Sequence, residues 1–249
     1  MAMAMARMAY EDGIRGLVFT PHNSAWWNGY YSDKVEPLSA EFSQRLGDAG
    51  VPLQVGPGCE TYIDLDILRR LKDGRAAPLN RSRYLLMELP FASWPLYTDQ
   101  VTFELQAAGY MVILAHPERY SAVMEKPERM RALAERGVIG QVTSGSLEGK
   151  FGSRAQKTAM LLLENHWAHY IASDAHELTN RTPTMRTAFG IRRLIWVWRA
   201  QRQCARPCRN ESFTTRISCW KRRWPTKRRS AVCSGPCSNG KYLTGGMHA

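Results

Sequence analysis

At 249 residues the chain is long enough to bury one substantial core, and it fits a single α/β barrel as readily as two small domains. Its formal charge of +12 would suit a nucleic-acid or anionic-surface partner, but residues 1–190 carry 20 Lys+Arg against 21 Asp+Glu, and residues 191–249 carry 14 Lys+Arg and one acid, Glu211. The basicity is confined to the tail, which excludes a basic catalytic body, and no stretch approaches the roughly 18 apolar residues of a membrane span.

Residues 1–9, in which Met and Ala alternate, have neither the basic start nor the long apolar run of a signal peptide. They read as the end of an amphipathic helix, so we expect that something preceding it has been lost. Short β-like runs then follow at 17–20, 53–56, 84–89, 111–115, 138–142 and 169–172. Helix-like segments lie between them at 35–49, 64–72, 98–108, 127–136 and 153–165. Gly50, Gly109 and Gly137 stand at helix ends just before the next strand. The repeated βα order predicts a mainly parallel sheet in one domain over 1–190. One cysteine, Cys59, in that body reads as cytosolic.

From about Gly190 the apolar period is lost, and Trp196, Trp198, Trp220 and Trp224 are scattered among Arg and Cys. Disordered segments are poor in Trp and Cys, and small folded domains balance their charge better. We therefore expect residues 191–249 to be a disordered or out-of-frame tail, because codons for Arg, Cys and Trp are guanine-rich.

The chemistry is predicted by where ligand-type residues fall. His22 follows the first strand, Glu60 the second, Glu88 ends the third, His116 follows the fourth, and Asp174 and His176 end the last. In barrels and open α/β sheets, sites are built at that edge. Imidazole and carboxylate together suit Zn²⁺, Mn²⁺ or Fe²⁺, and bridging carboxylates can hold two ions that clamp a phosphoryl group and activate water. Strand alternation aims Asp174 and His176 the same way. Arg119, one turn after His116, and Arg181, seven residues after Asp174, are candidate anion clamps.

Taken singly, His22 reads as a turn or core histidine, and Glu60 and Glu88 read as salt-bridge partners. Taken together, their alignment with strand ends marks a multi-metal phosphoesterase site. His166 and His169, flanking Trp167, read as packing or helix-end residues. Cys59 has no evident base and reads as a small buried thiol. Trp26, Trp27, Tyr30 and Tyr31 form an aromatic lip after His22 that either covers the barrel mouth or stacks on a substrate phenyl ring.

At these residues the sequence resembles the polymerase and histidinol phosphatase (PHP) superfamily, and within it the bacterial protein-tyrosine phosphatases of capsular and exopolysaccharide biosynthesis. The resemblance runs over about residues 4–190, through Thr20-Pro21-His22, Gly58-Cys59-Glu60, Leu85-Leu86-Met87-Glu88, Ala115-His116-Pro117-Glu118-Arg119-Tyr120, Ala172-Ser173-Asp174-Ala175-His176 and Arg181-Thr182-Pro183. The His-Pro-Glu-Arg-Tyr run is its most specific part. It implies a distorted (β/α)7 TIM-like barrel with up to three divalent ions, most commonly Mn²⁺. His22, Glu60, Glu88, His116, Asp174 and His176 are then metal ligands, and Arg119 and Arg181 hold the phosphate. The implied reaction is hydrolysis of phosphotyrosine by metal-activated water without a covalent phosphoenzyme. The implied partner is a bacterial tyrosine autokinase that controls polysaccharide chain length and export, and the chain itself is expected in the cytoplasm, without membrane insertion and without a nucleic-acid partner.

The family pattern opens with a strand ending in His-x-His, whereas the first histidine here is His22. The expectation is therefore a barrel lacking its first strand, with fewer ions and impaired activity. Two other readings fit the sequence: another metal phosphoesterase of the superfamily, such as a histidinol-phosphate phosphatase or a nuclease-like domain, and a zinc- or nucleic-acid-binding module formed by Cys204, Cys208, Cys233 and Cys237 of the tail.

Overall fold

The structure, a computed structural model, describes residues 1–24 and 33–191. The aromatic lip at Trp26, Trp27, Tyr30 and Tyr31 and the cysteine-bearing tail lie outside the described residues.

The described residues form eight strands and eight α-helices, with strands and helices interleaved singly or in pairs. The first helix, α1 (Ala2–Glu11), buries Ala6 and Ala9 against Phe42 and Leu46 of α2 (Val35–Asp48). Between them lie β1 (Gly16–Phe19) and β2 (His22–Asn23). The chain continues through β3 (Gln54–Pro57), β4 (Glu60–Tyr62), α3 (Ile67–Lys72), β5 (Tyr84–Glu88), α4 (Thr98–Ala107) and β6 (Met111–Ala115). It closes with α5 (Ser121–Glu125), α6 (Glu128–Glu135), β7 (Ile139–Thr143), α7 (Ser144–Leu147), α8 (Gly152–Glu164) and β8 (Tyr170–Ala172).

All strand pairs are parallel. Strands β2-β4-β5-β6-β7-β8 form one sheet in chain order, and β1-β3 form a separate pair. Neighbours in chain order, each reached through a helix, are what right-handed βαβ crossovers generate. The expected mixed α/β fold with a parallel sheet is the fold observed.

Two features depart from the sequence expectation, and both concern the site. The first strand is split by Thr20-Pro21, and the second by Gly58-Cys59. Proline has no N–H to donate, so the ladder breaks there and resumes when the Pro21 carbonyl accepts the Glu60 N–H at 3.0 Å. His22 and Glu60 therefore do not trail their strands. They begin the short segments β2 and β4, paired with each other in register.

Side-chain alternation sorts the sheet into two faces. Leu85, Met87, Val112, Leu114 and Val142 enter the large cluster with α4, α6 and α8. Leu86, Ile113 and Ala115 enter a smaller one with Leu79. Glu88 shares the parity of Leu86, so the smaller face carries the acid at its C-terminal edge.

A buried guanidinium fixes the split strands. Arg70 of α3 is 2% exposed and donates to the Asn23 side-chain oxygen, to the Tyr62 carbonyl at 2.9 Å and to Asp64 at 2.5 Å. Asn23 in turn donates to the Arg75 carbonyl at 2.6 Å. One side chain thus ties β2 to the end of β4, which holds His22 beside Glu60.

The break at Gly58 is sterically required. A Cβ there would lie 2.8 Å from Val18 Cγ1, 2.9 Å from Leu79 Cδ2 and 3.2 Å from the Phe19 carbonyl oxygen. Gly58→Ala is expected to cost about 1–3 kcal/mol in denaturant unfolding. Gly47→Ala, on α2 with nothing within 4 Å, is expected to be neutral or to stabilise by up to about 1 kcal/mol. Equal effects at the two positions would contradict the packing argument.

Candidate metal and phosphate site

Four residues from neighbouring strand ends converge. His22 Nδ1 lies 3.3 Å from Glu60 Oε2 and 3.2 Å from Glu88 Oε2, and His116 Nε2 lies 3.1 Å from Glu60 Oε1 and 3.4 Å from Glu88 Oε1. Each imidazole thus meets both carboxylates. Glu60, Glu88 and His116 are buried, and His22 stands at the surface with its side chain 55% exposed. One donor atom from each of His22, Glu60 and Glu88 falls within 4.8 Å of the others, a spacing that could hold a metal ion.

The electrostatics follow from this interleaving. At His116 burial opposes the charged imidazolium, but hydrogen bonds to Glu60 and Glu88 and the charges of Glu60 and Glu118 carry its pKa up to about 9. At Glu88 burial works against the carboxylate, and the two histidines outweigh it, bringing the pKa down to about 2. His22 is raised chiefly by its hydrogen bond to Glu88, with Asp174 among the charges that add to the rise.

His116 is held from several sides. It occupies left-handed backbone at φ 31°, opening the 3-10 turn Pro117–Arg119. Phe91 stacks on the imidazole at 5.2 Å and 13°, and Tyr120 meets it edge-on at 5.4 Å. The buried Tyr120 hydroxyl accepts the Leu89 N–H at 3.0 Å, linking this turn to the residue after Glu88. Glu118 is fully buried. Its Oε1 accepts the Thr143 N–H at 2.9 Å and the Ser146 hydroxyl at 2.6 Å, tying the turn to the β7–α7 junction, and burial pushes its pKa up. Glu118 and Tyr120 fall within the His-Pro-Glu-Arg-Tyr run, but the sequence assigns neither a role of its own, because their partners are distant in the chain.

Asp174 forms a second centre. Its Oδ2 accepts from Arg119 Nη1 at 3.0 Å and from Arg181 Nη2 at 2.6 Å, so one carboxylate oxygen holds both anion clamps. Arg181 returns to the site because its carbonyl accepts the N–H groups of His176 and Glu177 at 2.9 and 3.2 Å, closing the loop. Phe91 and Phe151 flank the Arg119 guanidinium at 4.9 and 4.3 Å.

The structure gives Asp174 and His176 different surroundings from those that alternation predicts. Strand β8 ends at Ala172, and Asp174 lies beyond it at φ 48°, so the two-residue period does not reach His176. The His176 Nδ1–H donates to the Asp174 carbonyl at 3.0 Å, its side chain is 45% exposed, and among the described residues it comes within ion-pair distance of Asp174 only.

The structural readings of the remaining residues agree with their surroundings. Cys59 is buried, contacts Thr61 and Ala77, and has its thiol pKa pushed up by burial. His169 Nδ1 accepts the Gly140 N–H at 3.3 Å, and burial lowers its pKa.

The donor set fits divalent transition ions: two imidazole nitrogens and two carboxylates, with Asp174 adjacent. The paired guanidiniums fit a phosphate or another oxyanion.

Comparison with known proteins points to one family. The family model "Capsular polysaccharide synthesis, CpsB/CapC" matches residues 1–194. The tyrosine-protein phosphatase YwqE of Bacillus subtilis (strain 168) is 36% identical over 183 residues, covering 72% of this chain and 71% of that protein. The tyrosine-protein phosphatase CpsB of Streptococcus pneumoniae is 29% identical over 196 residues, covering 76% of this chain and 79% of that protein. A solved structure, from work describing YwqE and CpsB as unique metal-dependent tyrosine phosphatases, superposes with a TM-score of 0.73 and 34% identity. It covers 76% of this chain and 77% of its own.

The shifts set opposite pH trends for the metal-free and metal-bound protein. A histidine raised in the fold stabilises fully below its ordinary 6.5 and loses that contribution as pH rises through about 9. Glu88 stabilises above its ordinary 4.5 and loses its contribution as pH falls through about 2. A metal ion held by these imidazoles would have to displace their protons, so its affinity would rise across the interval where the metal-free protein weakens. Thermal unfolding is expected to show a falling Tm between pH 6.5 and 9 without metal and a growing manganese-induced shift over the same range. A manganese-induced shift that shrinks with rising pH would refute the assignment of His116 to the metal.

Proposed function

The chain belongs to the CpsB/CapC family of capsular polysaccharide synthesis proteins, and from that membership we propose that it is a metal-dependent protein-tyrosine phosphatase. The observation that carries the reading is the convergence of His22, Glu60, Glu88 and His116 at adjacent strand ends. Those four side chains are the proposed core ligands, and Asp174 and His176 are proposed to join them. Manganese is the proposed ion, since imidazole and carboxylate donors together suit it.

Divalent ions held there would polarise the phosphoryl oxygens and lower the pKa of water. The chain's own residues do the rest. Arg119 and Arg181 each present several N–H donors, of which the Asp174 carboxylate takes one apiece. Arg181 Nε is buried, and the remaining guanidinium N–H groups would meet phosphoryl oxygens, where negative charge spreads as the ester bond loosens. Because Asp174 holds both guanidiniums, it sets the separation at which they meet the phosphate. The leaving group is a phenolate, whose conjugate acid has an ordinary pKa of about 10, so its departure demands less protonation than that of an alkoxide. Cys59 is unsuited as a nucleophile, since it is buried and its thiol pKa is raised.

The proposed substrate is phosphotyrosine on a protein of capsular or exopolysaccharide synthesis, with a tyrosine autokinase as the specific partner and the cytoplasm as the place. Among the described residues no helix is long and apolar enough to cross a membrane.

Turnover of a phosphotyrosine peptide with added Mn²⁺ tests this. Chelation or His116→Ala is expected to abolish it, and Arg119→Met is expected to lower kcat by about 10²–10³ through loss of a charged transition-state donor. Cys59→Ser is expected to retain turnover. Persistence under chelation, or loss on Cys59→Ser with the fold intact, would overturn the reading.

A further inference from the structure

We propose that Phe91 determines specificity in this site by forming the wall against which the phenyl ring of phosphotyrosine lies. The inference rests on the phosphatase reading above and deepens it by naming the residue that recognises the aryl group.

Phe91 follows β5 three residues after Glu88, and its carbonyl accepts the Ser121 N–H at 2.9 Å, which pins it to the start of α5. Its ring touches both halves of the site. It stacks on His116, whose Nε2 faces Glu60 and Glu88, and it lies 4.9 Å from the Arg119 guanidinium carbon. A tilted contact to Tyr120 at 5.8 Å supports it from behind. Despite these contacts Phe91 is 43% exposed, so an aromatic surface stands open beside the phosphate-binding and metal-binding groups.

The chemistry of an aryl phosphate makes that position meaningful. One ester oxygen separates phosphorus from the ring carbon, so a phosphate held by Arg119 brings the substrate ring next to Arg119's own neighbours. Phe91 is the neighbour with exposed aromatic surface, whereas Phe151, also against Arg119, is more covered. Offset or edge-on ring contact adds affinity beyond simple burial, and an alkyl phosphate has no ring to supply it.

Phenylphosphonate and methylphosphonate share the anionic head and resist hydrolysis, so their binding separates ring recognition from turnover. Their dissociation constants are to be measured by calorimetry on the full chain with manganese, for the wild type, Phe91→Leu and Phe91→Tyr. Phe91→Leu is expected to weaken phenylphosphonate about threefold to tenfold while leaving methylphosphonate within about twofold, and Phe91→Tyr is expected to keep both. Equal weakening of the two ligands by Phe91→Leu would mean that the ring only packs His116 and Arg119. No change in either would mean that the substrate ring does not reach Phe91. Both results overturn the proposal while leaving the phosphatase reading intact, whereas a wild-type chain that binds neither phosphonate overturns both.

Discussion

Glu60 and Glu88 lie side by side at the C-terminal edge of a parallel sheet, only 6% and 7% exposed, and two buried carboxylates so close call for positive charge between them. His22 and His116 supply it when protonated, and a divalent ion can supply it in their place. Much of the surrounding structure keeps this arrangement in position. Arg70 locks the strand segment that carries His22 to the one that carries Glu60. Tyr120 links the His116 turn to the residue after Glu88, and Glu118 anchors the same turn to the β7–α7 junction. Removal of any of these leaves a buried charge or hydrogen-bonding group without its partner, which costs more than the lost contact alone.

The acidic cluster and the basic pair are adjacent but differently built. Glu60 and Glu88 come from within the sheet, where backbone positions are fixed by parallel pairing. Asp174, His176 and Arg181 come from the segment after β8, shaped by the Arg181 carbonyl and by left-handed backbone at Asp174. Sites that bind anionic esters need both parts: cations to neutralise the phosphate, and a rigid frame to hold them. Asp174 contributes to both, since its charge reaches His22 while its Oδ2 holds the two arginines.

Much of this was legible in the sequence, for physical reasons. Strands β5 and β6 are buried on both faces and read as continuous apolar runs, so Glu88 and His116 could be placed at their ends. Gly109 and Gly137 close α4 and α6 at φ 92° and 90°, as their positions before strands imply. Strands β2 and β4 were not legible as elements, because two or three residues after a proline or glycine carry no period. Helices α5 and α7, five and four residues long, escaped for the same reason. Arg70 and Phe91 carry no sequence signal, and Glu118 is visible only as part of the His-Pro-Glu-Arg-Tyr run, since the role of each is defined by partners brought together only by folding. For Glu118 the contacts are with Thr143 and Ser146. For Phe91 the contacts are with His116 and Arg119.

The most direct measurement of the central claim is a crystal grown with manganese, with anomalous scattering recorded at the manganese edge. The account predicts an anomalous peak within coordination distance of His22, Glu60, Glu88 and His116, with the present imidazole–carboxylate contacts opened to admit the ion. A protein that retains those contacts, with no anomalous peak among these four side chains, would contradict it.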